Sequence, residues 1–324
     1  MKAVVCKQFG PPEDLVIEEV DDPKAGDGQL VVDVKAAAVT FPDSLVIEDK
    51  YQFKATPPFI PGGEVGGVVS EVGPGVEAFA VGDRVTSSAG IVGGFAEKLA
   101  VPAAAARKIP DGTDFGEATG MLYAYGTAYY GLKHRGDLQK GETLLVLGAA
   151  GGVGMAAIEI GKLMGARVIA AASRDEKLAV CREHGADEVI NYDSENLKER
   201  AKELTGGQGA DVVFDCVGGD YAEAALRAIA WSGRFLVIGF TAGIPKVPFN
   251  LALLKSCQIV GVFLGAMVSR EPETRESIER DLLDFVSSGR LKPFVSKRYP
   301  LERAPQALRD MLDRKVVGKI VIEP

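Results

Sequence analysis

The sequence predicts an α/β fold in which a β-rich N-terminal domain precedes a doubly wound parallel sheet. The first domain, residues 1–121, has short apolar runs separated by glycine and proline turns, a pattern typical of a small barrel or sandwich. The second domain, residues 122–264, alternates strand and helix patterns, which favours parallel strands joined by helices. The remaining segment, residues 265–324, holds too few elements for a domain of its own and is expected to return to the first domain.

The elements of the first domain follow from its turn residues. Glycine and proline interrupt regular structure, so the apolar runs between them are predicted to be short strands. Such runs occupy residues 30–34, 66–72 and 84–86. The turns Gly73-Pro74-Gly75 and Gly82-Asp83 separate the later ones.

The elements of the second domain follow from periodicity. Apolar residues take helical spacing over residues 123–132, and strands and helices then alternate. The predicted strands are 143–147, 167–171, 189–190, 212–215, 233–239 and 258–263. The predicted helices are 155–164, 175–184, 197–205 and 221–230. In the last segment, a charged helix is predicted at 272–289 and a final strand at 319–322.

A glycine-rich run from Gly148 to Gly154 joins the first strand of the second domain to its first helix. Glycines allow a backbone to approach a ligand closely, and the amides at a helix start favour negative charge. Strand, glycine turn, helix and second strand together predict a βαβ unit that binds dinucleotide phosphates. The alternative is that the glycines serve packing alone. Ala149 stands at the first glycine position of the usual G-x-G-x-x-G pattern.

The end of the second strand indicates which dinucleotide is bound. NAD-binding units place Asp or Glu there, about 20 residues after the glycines, to bind the ribose 2′-hydroxyl. In this chain Ala172 stands in that place, and the residues after it offer a hydroxyl and two cations: Ser173, Arg174 and Lys177. Such groups bind a 2′-phosphate, so NADPH is the expected cofactor. As alternatives, the two cations are ordinary solvated charges, or a small register shift brings Asp175 to the ribose.

Composition and charge exclude several classes of function. The net charge is −8 and no basic stripe is present, so nucleic acid is not an expected partner. No apolar run reaches the length of a membrane span, and the first residues do not resemble a secretory signal. The cysteines lie far apart without a CxxC pair, which favours reduced thiols and a cytoplasmic location.

Several short motifs occur along the whole chain in a fixed order. They are Phe41-Pro42-Asp43, Tyr51-Gln52-Phe53-Lys54, Pro61-Gly62-Gly63-Glu64, Gly82-Asp83-Arg84-Val85, the glycine turn, Gly185-Ala186-Asp187 with Asn191-Tyr192, and Asp215-Cys216-Val217-Gly218. Together they resemble the zinc-independent quinone oxidoreductase branch of the medium-chain dehydrogenase/reductase superfamily, which includes ζ-crystallin-like proteins. The resemblance implies a GroES-like catalytic domain, a Rossmann domain, and a homodimer that pairs through the strand at 258–263.

The residues needed for catalytic zinc are missing from the sequence. Zinc alcohol dehydrogenases of this superfamily have a Cys near position 40 and a Gly-His-Glu near position 63. This chain has Thr40 and Gly62-Gly63-Glu64 instead, whereas Zn²⁺ prefers thiolate and imidazole ligands. His134 and His184 precede glycines at predicted helix ends, where a capping or cationic role is expected. No metal site is therefore predicted. Thr40 also replaces an Asn common in the branch, so the contacts of that Asn are not carried over.

The resemblance implies roles for the residues that match the motifs of the branch. Those expected to bind the pyrophosphate are Ala150, Gly151, Gly152 and Val153, with Thr127 reaching the cofactor from a helix. Those expected around the 2′-phosphate and adenine are Ser173, Arg174, Lys177 and Tyr192. Those expected near the ribose and nicotinamide are Val217, Gly239, Phe240, Phe263 and Leu264. The residues expected to face the substrate are Tyr51 and Asp43.

The expected reaction is NADPH-dependent reduction of a quinone or an α,β-unsaturated carbonyl. Without zinc there is no strong Lewis acid for alcohol–ketone exchange, but a conjugated acceptor needs only positioning and a hydrogen bond to its oxygen. Tyr51 either donates that bond or serves only as an aromatic wall. One alternative is an acryloyl-CoA reductase, with Lys50 and Lys54 near the CoA phosphates. Another is a non-catalytic ζ-crystallin-like structural or RNA-binding protein.

Overall fold

The structure, a computed structural model, describes residues 1–88 and 90–324 and divides into two compact units. The first unit combines Met1–Tyr123 with Lys292–Pro324, and the second unit spans Ala124–Leu291. The chain therefore leaves the first unit after Tyr123 and returns to it at Lys292.

The first unit begins with short strands and two short helices. In chain order they are β1 (Lys2–Val5), β2 (Val16–Glu19), β3 (Gln29–Val39), α1 (Phe41–Ile47), β4 (Glu64–Val72), β5 (Arg84–Ser88), β6 (Lys98–Pro102), β7 (Ala106–Lys108) and α2 (Phe115–Ala118). A π-helical segment, Met121–Tyr125, follows α2.

The second unit alternates helices and strands. In chain order they are α3 (Gly126–Tyr129), a π-helical segment (Tyr130–Arg135), β8 (Thr143–Leu147), α4 (Gly152–Leu163), β9 (Arg167–Ala172), α5 (Asp175–Glu183), β10 (Glu188–Asn191), α6 (Leu197–Leu204), β11 (Ala210–Asp215), α7 (Tyr221–Arg227), β12 (Ile229–Val237), α8 (Asn250–Lys255), β13 (Gln258–Gly261), α9 (Leu264–Arg270) and α10 (Pro272–Ser287).

The returning segment completes the first unit with β14 (Val295–Pro300), α11 (Ala304–Leu312) and β15 (Lys319–Glu323). In the part of the chain that the structure describes, no helix combines the length and the apolar character that a membrane span requires.

The sheet of the first unit joins the two ends of the chain. Its strand order is β14-β15-β3-β4-β5-β7, and β6 also pairs with β3. β15 runs antiparallel to β3, with Ile320 opposite Val39. Both side chains are buried in one core with Leu308 of α11. The predicted β-rich, GroES-like domain is confirmed, and the last strand of the chain is an integral part of its sheet.

The sheet of the second unit is parallel, with strand order β10-β9-β8-β11-β12-β13. From β8 the chain moves outward to β9 and β10, and then adds β11 on the other side of β8. Such a reversal is the topological switch point at which open α/β sheets bind ligands. Leu145, Val213 and Phe235, on three of these strands, are buried in a common core. The predicted α/β fold with a doubly wound parallel sheet is confirmed.

Several elements differ from the sequence prediction. The predicted helix 221–230 is too long: α7 ends at Arg227, and β12 already begins at Ile229. Within β12, Ser232 adopts a φ of 60°. The helix predicted at 272–289 corresponds to α10. It belongs to the second unit, where Tyr129 on α3 donates a hydrogen bond of 2.8 Å to Asp281.

Candidate active site

The turn after β8 is built from glycines that leave no room for side chains. Gly148 follows the strand directly and adopts φ 67°, a left-handed conformation that favours glycine. Gly154 lies in the first turn of α4, where a Cβ atom would approach the Gly148 carbonyl oxygen to 2.3 Å. The start of α4 therefore packs directly on the turn that precedes it.

The start of α4 presents backbone amides rather than side chains. Gly151 is the N-cap residue and has no side chain to accept a hydrogen bond from them. The first amides of an α-helix have no partner inside the helix, and the helix dipole adds partial positive charge there. Gly151 is exposed and Gly152 and Val153 are half-buried, whereas Ala150 is buried. This end of the helix fits a phosphate group of a dinucleotide.

The loop after β11 meets the glycine turn at the switch point. A Cβ atom on Gly148 would lie 2.9 Å from Cγ2 of Val217. Asp215, the last residue of β11, is 3% exposed, and its Oδ1 accepts hydrogen bonds from the amides of Val217 (2.8 Å) and Gly218 (3.0 Å). Burial raises the pKa of Asp215, and the two amides oppose that shift. Asp215 thus holds Val217 beside the turn, a role that the sequence analysis did not assign.

The end of β9 carries no acid at the ribose position. Ala172 ends the strand and is buried. Ser173 is half-buried, and the side chain of Arg174 is 49% exposed and lies 3.9 Å from Glu176. Lys177 is buried on α5, with an exposed fraction of 9%. The half-exposed guanidinium of Arg174 is therefore the more accessible of the two predicted cations.

Asp175, the alternative partner for a ribose, is bound to a neighbouring strand. Its Oδ1 accepts a hydrogen bond of 2.7 Å from Nδ2 of Asn191. Asn191 ends β10 and lies opposite Ala172 in the sheet. This contact directs the Asp175 carboxylate toward β10.

Tyr192 follows β10 at the same edge of the sheet. Its amide donates a hydrogen bond of 3.1 Å to the carbonyl of Ala172. Its ring centroid lies 4.5 Å from that of Tyr221, at an interplanar angle of 46°. The structure therefore brings Tyr192 next to the end of β9, as the predicted adenine contact requires.

The other predicted cofactor residues follow β12 and β13 or lie on α3. Gly239 and Phe240 follow β12, where the Gly239 amide donates a hydrogen bond of 3.2 Å to the Asp215 carbonyl. Phe263 and Leu264 follow β13, two strands beyond β11 in the sheet order. Thr127 lies buried on α3, which packs against α4.

Asp43 in the first unit lies inside the unit rather than on its surface. It is 3% exposed, and its Oδ2 accepts hydrogen bonds from the Thr40 amide (2.6 Å) and hydroxyl (2.7 Å). Burial raises the pKa of Asp43 to about 7, against these hydrogen bonds. The carboxylate and Thr40 together form the start of α1. This position differs from the substrate-facing one expected from the sequence, because the Asp43 carboxylate accepts the hydrogen bonds of Thr40 at the start of α1.

Tyr51 is paired with a second tyrosine that the sequence analysis did not single out. Its hydroxyl oxygen lies 3.3 Å from that of Tyr123, and either group can be the donor. The Tyr51 ring also contacts Phe53, with centroids 5.9 Å apart. Tyr51 and Tyr123 are both half-buried, and burial raises the pKa of the Tyr123 phenol. In the sequence, Tyr123 was marked only as the first residue of the apolar helical spacing over residues 123–132.

Two buried groups of opposite charge, Glu64 and Lys319, interact electrostatically in the first unit. Glu64 on β4 is 2% exposed, and its Oε1 accepts hydrogen bonds from the amides of Leu122 (3.1 Å) and Tyr123 (3.3 Å). Lys319 on β15 is also buried and donates hydrogen bonds to the carbonyls of Glu117 and Thr119. Burial raises the pKa of Glu64 and lowers that of Lys319, and the attraction between their charges opposes both shifts.

The residues at the zinc-ligand positions of the superfamily do not fit a zinc ion. A Cβ atom on Gly63 would lie 2.4 Å from the Gly90 carbonyl oxygen, so an imidazole cannot take that place without a backbone shift. Thr40 offers a hydroxyl that is already bonded to Asp43. Among the residues that the structure describes, no group of three or more His, Cys, Asp or Glu side chains is arranged to hold a metal ion.

The lysines considered for CoA phosphates are both paired with acids. Lys50 lies against the Glu48 carboxylate, and Lys54 lies 2.7 Å from Asp49 Oδ1. Lys54 also donates a hydrogen bond of 2.8 Å to the Asp49 carbonyl. Each of the two exposed lysines thus has an acid partner within the unit.

Family models match parts of both units. The alcohol dehydrogenase GroES-like domain matches residues 26–111, and the zinc-binding dehydrogenase model matches residues 152–287. A quinone oxidoreductase-like protein 2 homolog from Nematostella vectensis is 41% identical over 99% of this chain and 88% of its own length. The chain belongs to the quinone oxidoreductase-like branch of the medium-chain dehydrogenase/reductase superfamily. The family membership predicted from the motifs is confirmed.

Two solved structures are similar to this chain along its whole length. Escherichia coli quinone oxidoreductase complexed with NADPH is 28% identical, has a TM-score of 0.91, and matches over 100% of both chains. A 2-haloacrylate reductase is 31% identical, with a TM-score of 0.85 over 100% of this chain and 99% of its own. The chain is therefore an oxidoreductase of the quinone oxidoreductase-like branch.

Proposed function

We propose that the protein is an NADPH-dependent oxidoreductase that reduces a quinone or the activated C=C bond of an α,β-unsaturated carbonyl, without catalytic zinc. The observation that carries the proposal is the end of β9. Ala172 stands where an NAD-binding unit has an acid, and Ser173 and Arg174 follow it. A carboxylate repels a 2′-phosphate, whereas a hydroxyl and a guanidinium bind one. The NADPH complex of the E. coli relative supports the same cofactor.

The second unit supplies the cofactor contacts in this proposal. The pyrophosphate is assigned to Ala150, Gly151, Gly152 and Val153, with Thr127 from α3. The 2′-phosphate and adenine are assigned to Ser173, Arg174, Lys177 and Tyr192. The ribose and nicotinamide are assigned to Val217, Gly239, Phe240, Phe263 and Leu264. The glycine N-cap of α4 supports the first assignment, because no capping side chain competes with a phosphate for the first backbone amides.

When bound, reduced nicotinamide supplies a hydride. The residues of the chain have to orient the acceptor and stabilise the negative charge that develops on its oxygen. Tyr51 is assigned this task, because its half-buried phenol can donate a hydrogen bond. Asp43, bonded to Thr40 inside the unit, supports the site by shaping α1 and does not touch the acceptor.

Zinc independence is inferred from donor chemistry. Gly63 has no space for an imidazole, and one oxygen of Glu64 already accepts two backbone amides. Exchange between an alcohol and a ketone relies on a Lewis acid to polarise the carbonyl. A quinone or an enone is already activated by conjugation, which supports these acceptors over simple ketones.

The pairing of Lys50 and Lys54 with acids supports an acceptor without phosphates. A CoA thioester carries several phosphate charges and needs unpaired cations near the site. A free quinone or enone does not. Reduction of an activated C=C bond is supported beside quinone reduction, because a 2-haloacrylate reductase has the same fold at 31% identity.

The proposal is tested by following NADPH consumption with three acceptors: phenanthrenequinone, a simple enone and acryloyl-CoA. We expect turnover with the quinone or the enone, and much slower turnover with acryloyl-CoA. Turnover with acryloyl-CoA alone would overturn the acceptor class. No consumption with any acceptor, together with tight NADPH binding, would instead favour a non-catalytic ζ-crystallin-like protein.

A further inference from the structure

Two phenol groups in the first unit lie within contact distance of each other. The hydroxyl oxygens of Tyr51 and Tyr123 are 3.3 Å apart. The proposed function uses Tyr51 alone and gives Tyr123 no role. A phenol can both donate and accept a hydrogen bond. If one hydroxyl of the pair donates its proton to a third group, it must accept the hydrogen bond from the other hydroxyl.

Tyr123 is the more firmly held member of the pair. Its amide and that of Leu122 donate hydrogen bonds to Glu64 Oε1, at 3.3 and 3.1 Å. Glu64 belongs to the central strand β4 and is 2% exposed. The backbone that carries Tyr123 is therefore tied to the sheet by a buried carboxylate.

The Tyr123 phenol is held in its protonated form. Burial raises the pKa of its phenol, and nearby acidic groups act in the same direction. A neutral phenol remains a hydrogen-bond donor. Tyr51 is half-buried and its ring lies beside Phe53, which is 46% exposed. Tyr51 thus lies beside an exposed aromatic ring, and its hydroxyl is the one that the proposed function assigns to the acceptor.

We propose that Tyr123 is a positioning residue whose hydroxyl donates to the Tyr51 oxygen and so directs the Tyr51 proton toward the acceptor. This inference rests on the proposed function. The acceptor takes up a hydride, with its electron pair, from NADPH, which becomes NADP⁺. Tyr51 transfers its proton to the acceptor oxygen, and the phenolate that forms accepts the hydrogen bond from Tyr123. Water then returns a proton to Tyr51.

A double-mutant cycle tests whether Tyr123 acts through Tyr51. Tyr123→Phe in the parent is expected to lower kcat/KM for phenanthrenequinone about tenfold, the effect of one lost hydrogen bond. The loss is expected in kcat, with the KM for NADPH unchanged. Tyr123→Phe in a Tyr51→Phe background is expected to cause no further loss, because the group it directs is already gone.

The matched control removes a hydroxyl elsewhere in the same unit. Tyr299 is buried and donates a hydrogen bond of 2.5 Å to Asp310, so Tyr299→Phe is expected to leave kcat/KM unchanged. An equal loss from Tyr123→Phe in both backgrounds, or no loss in the active parent, overturns the inference and leaves the proposed function intact. A parent inactive with every acceptor overturns the proposed function and the inference with it.

Discussion

Ala172 illustrates how one small side chain at a strand end determines the chemistry of a site. It ends β9, lies buried beside Asn191 of β10, and adds no charge at the ribose position. The next residues in the chain then decide which cofactor is favoured. Arg174, with a half-exposed guanidinium, is the residue on which the choice of NADPH most depends.

Replacing Arg174 by Ala should weaken NADPH binding without weakening NADH binding. A charged hydrogen bond to the 2′-phosphate contributes about 1.5–3 kcal/mol, so the Kd for NADPH should rise roughly tenfold or more. The Kd for NADH, which lacks that phosphate, should stay the same. Fluorescence titration of both nucleotides measures the two constants. Arg182→Ala, which removes an exposed cation from the last turn of α5, is the control and should change neither.

An equal rise in both constants for Arg174→Ala would contradict the assigned contact. It would mean that the Arg174 guanidinium supports the fold of this loop and does not bind the 2′-phosphate of NADPH.

The buried carboxylate of Asp43 predicts a pH dependence of stability. Its pKa rises from 3.8 in the unfolded chain to about 7 in the folded protein. Between these pH values the folded state therefore keeps a proton on Asp43 that the unfolded state has lost. This contribution is fully present below pH 3.8 and is lost as the pH rises through about 7. The slope is roughly 1.4 kcal/mol per pH unit for one proton.

Asp43→Asn should remove this slope, because the amide stays neutral. As the pH rises from about 5 to about 8, the free energy of unfolding of the variant should therefore increase relative to that of the parent. Urea unfolding at both values measures the difference in the free energy of unfolding. A difference that does not change with pH would show that Asp43 is ionised in the native protein throughout this range.

At the scale of elements, the close packing of α4 on the glycine turn is the feature most sensitive to substitution. Gly154→Ala places a Cβ atom 2.3 Å from the Gly148 carbonyl oxygen. The turn and the helix must move apart, at a cost of about 1–3 kcal/mol of stability. Both the melting temperature and the affinity for NADPH should fall.

Gly151→Ala is the matched control for this element. Its nearest contact to a Cβ atom is 3.4 Å, and its φ of −81° suits any residue. Its melting temperature should therefore stay close to that of the parent. Equal destabilisation by both substitutions would contradict the packing argument.

Elements built from local patterns were predictable from the sequence. β8 matches its prediction, and α5 and α6 begin where predicted, because apolar periodicity and turn residues mark these elements. α8 was missed, since a six-residue helix has a weak periodic signal. α11 was also missed, although its apolar residues do repeat with helical spacing. The overrun of the predicted helix 221–230 into β12 has a local cause, as Ala228–Ala230 suit both structures.

At the scale of the whole molecule, contacts between distant parts of the sequence were not predictable. Glu64 and Lys319 belong to opposite ends of the chain and become neighbours only because β15 pairs with β3 beside β4. The burial of Asp43 and the Tyr51–Tyr123 contact depend on the same folded unit. The residues after each parallel strand could be predicted, because strand order alone brings them to one edge.

The edge of the second sheet predicts a homodimer. β13 ends the strand order, and Ile259 on it is 39% exposed, while Leu253 and Leu254 of the preceding helix are 78% and 61% exposed. Open edges with exposed apolar residues favour pairing with a second copy. Light scattering should give twice the chain mass of 34.2 kDa.

Ile259→Lys should shift this mass toward that of one chain, because a charge on the edge opposes pairing. Val81→Lys is the control, since Val81 is 67% exposed in a turn of the first unit and should leave the mass unchanged. A parent that is a monomer at all concentrations would exclude the dimer.

The most direct test of the account is a single-turnover experiment on chelator-treated protein. The protein is loaded with NADPH and mixed with phenanthrenequinone, and the absorbance of the reduced nicotinamide is followed. We expect the absorbance to decay fully, and at the same rate as in untreated protein. Decay that requires added zinc, or no decay in NADPH-loaded protein, would contradict it.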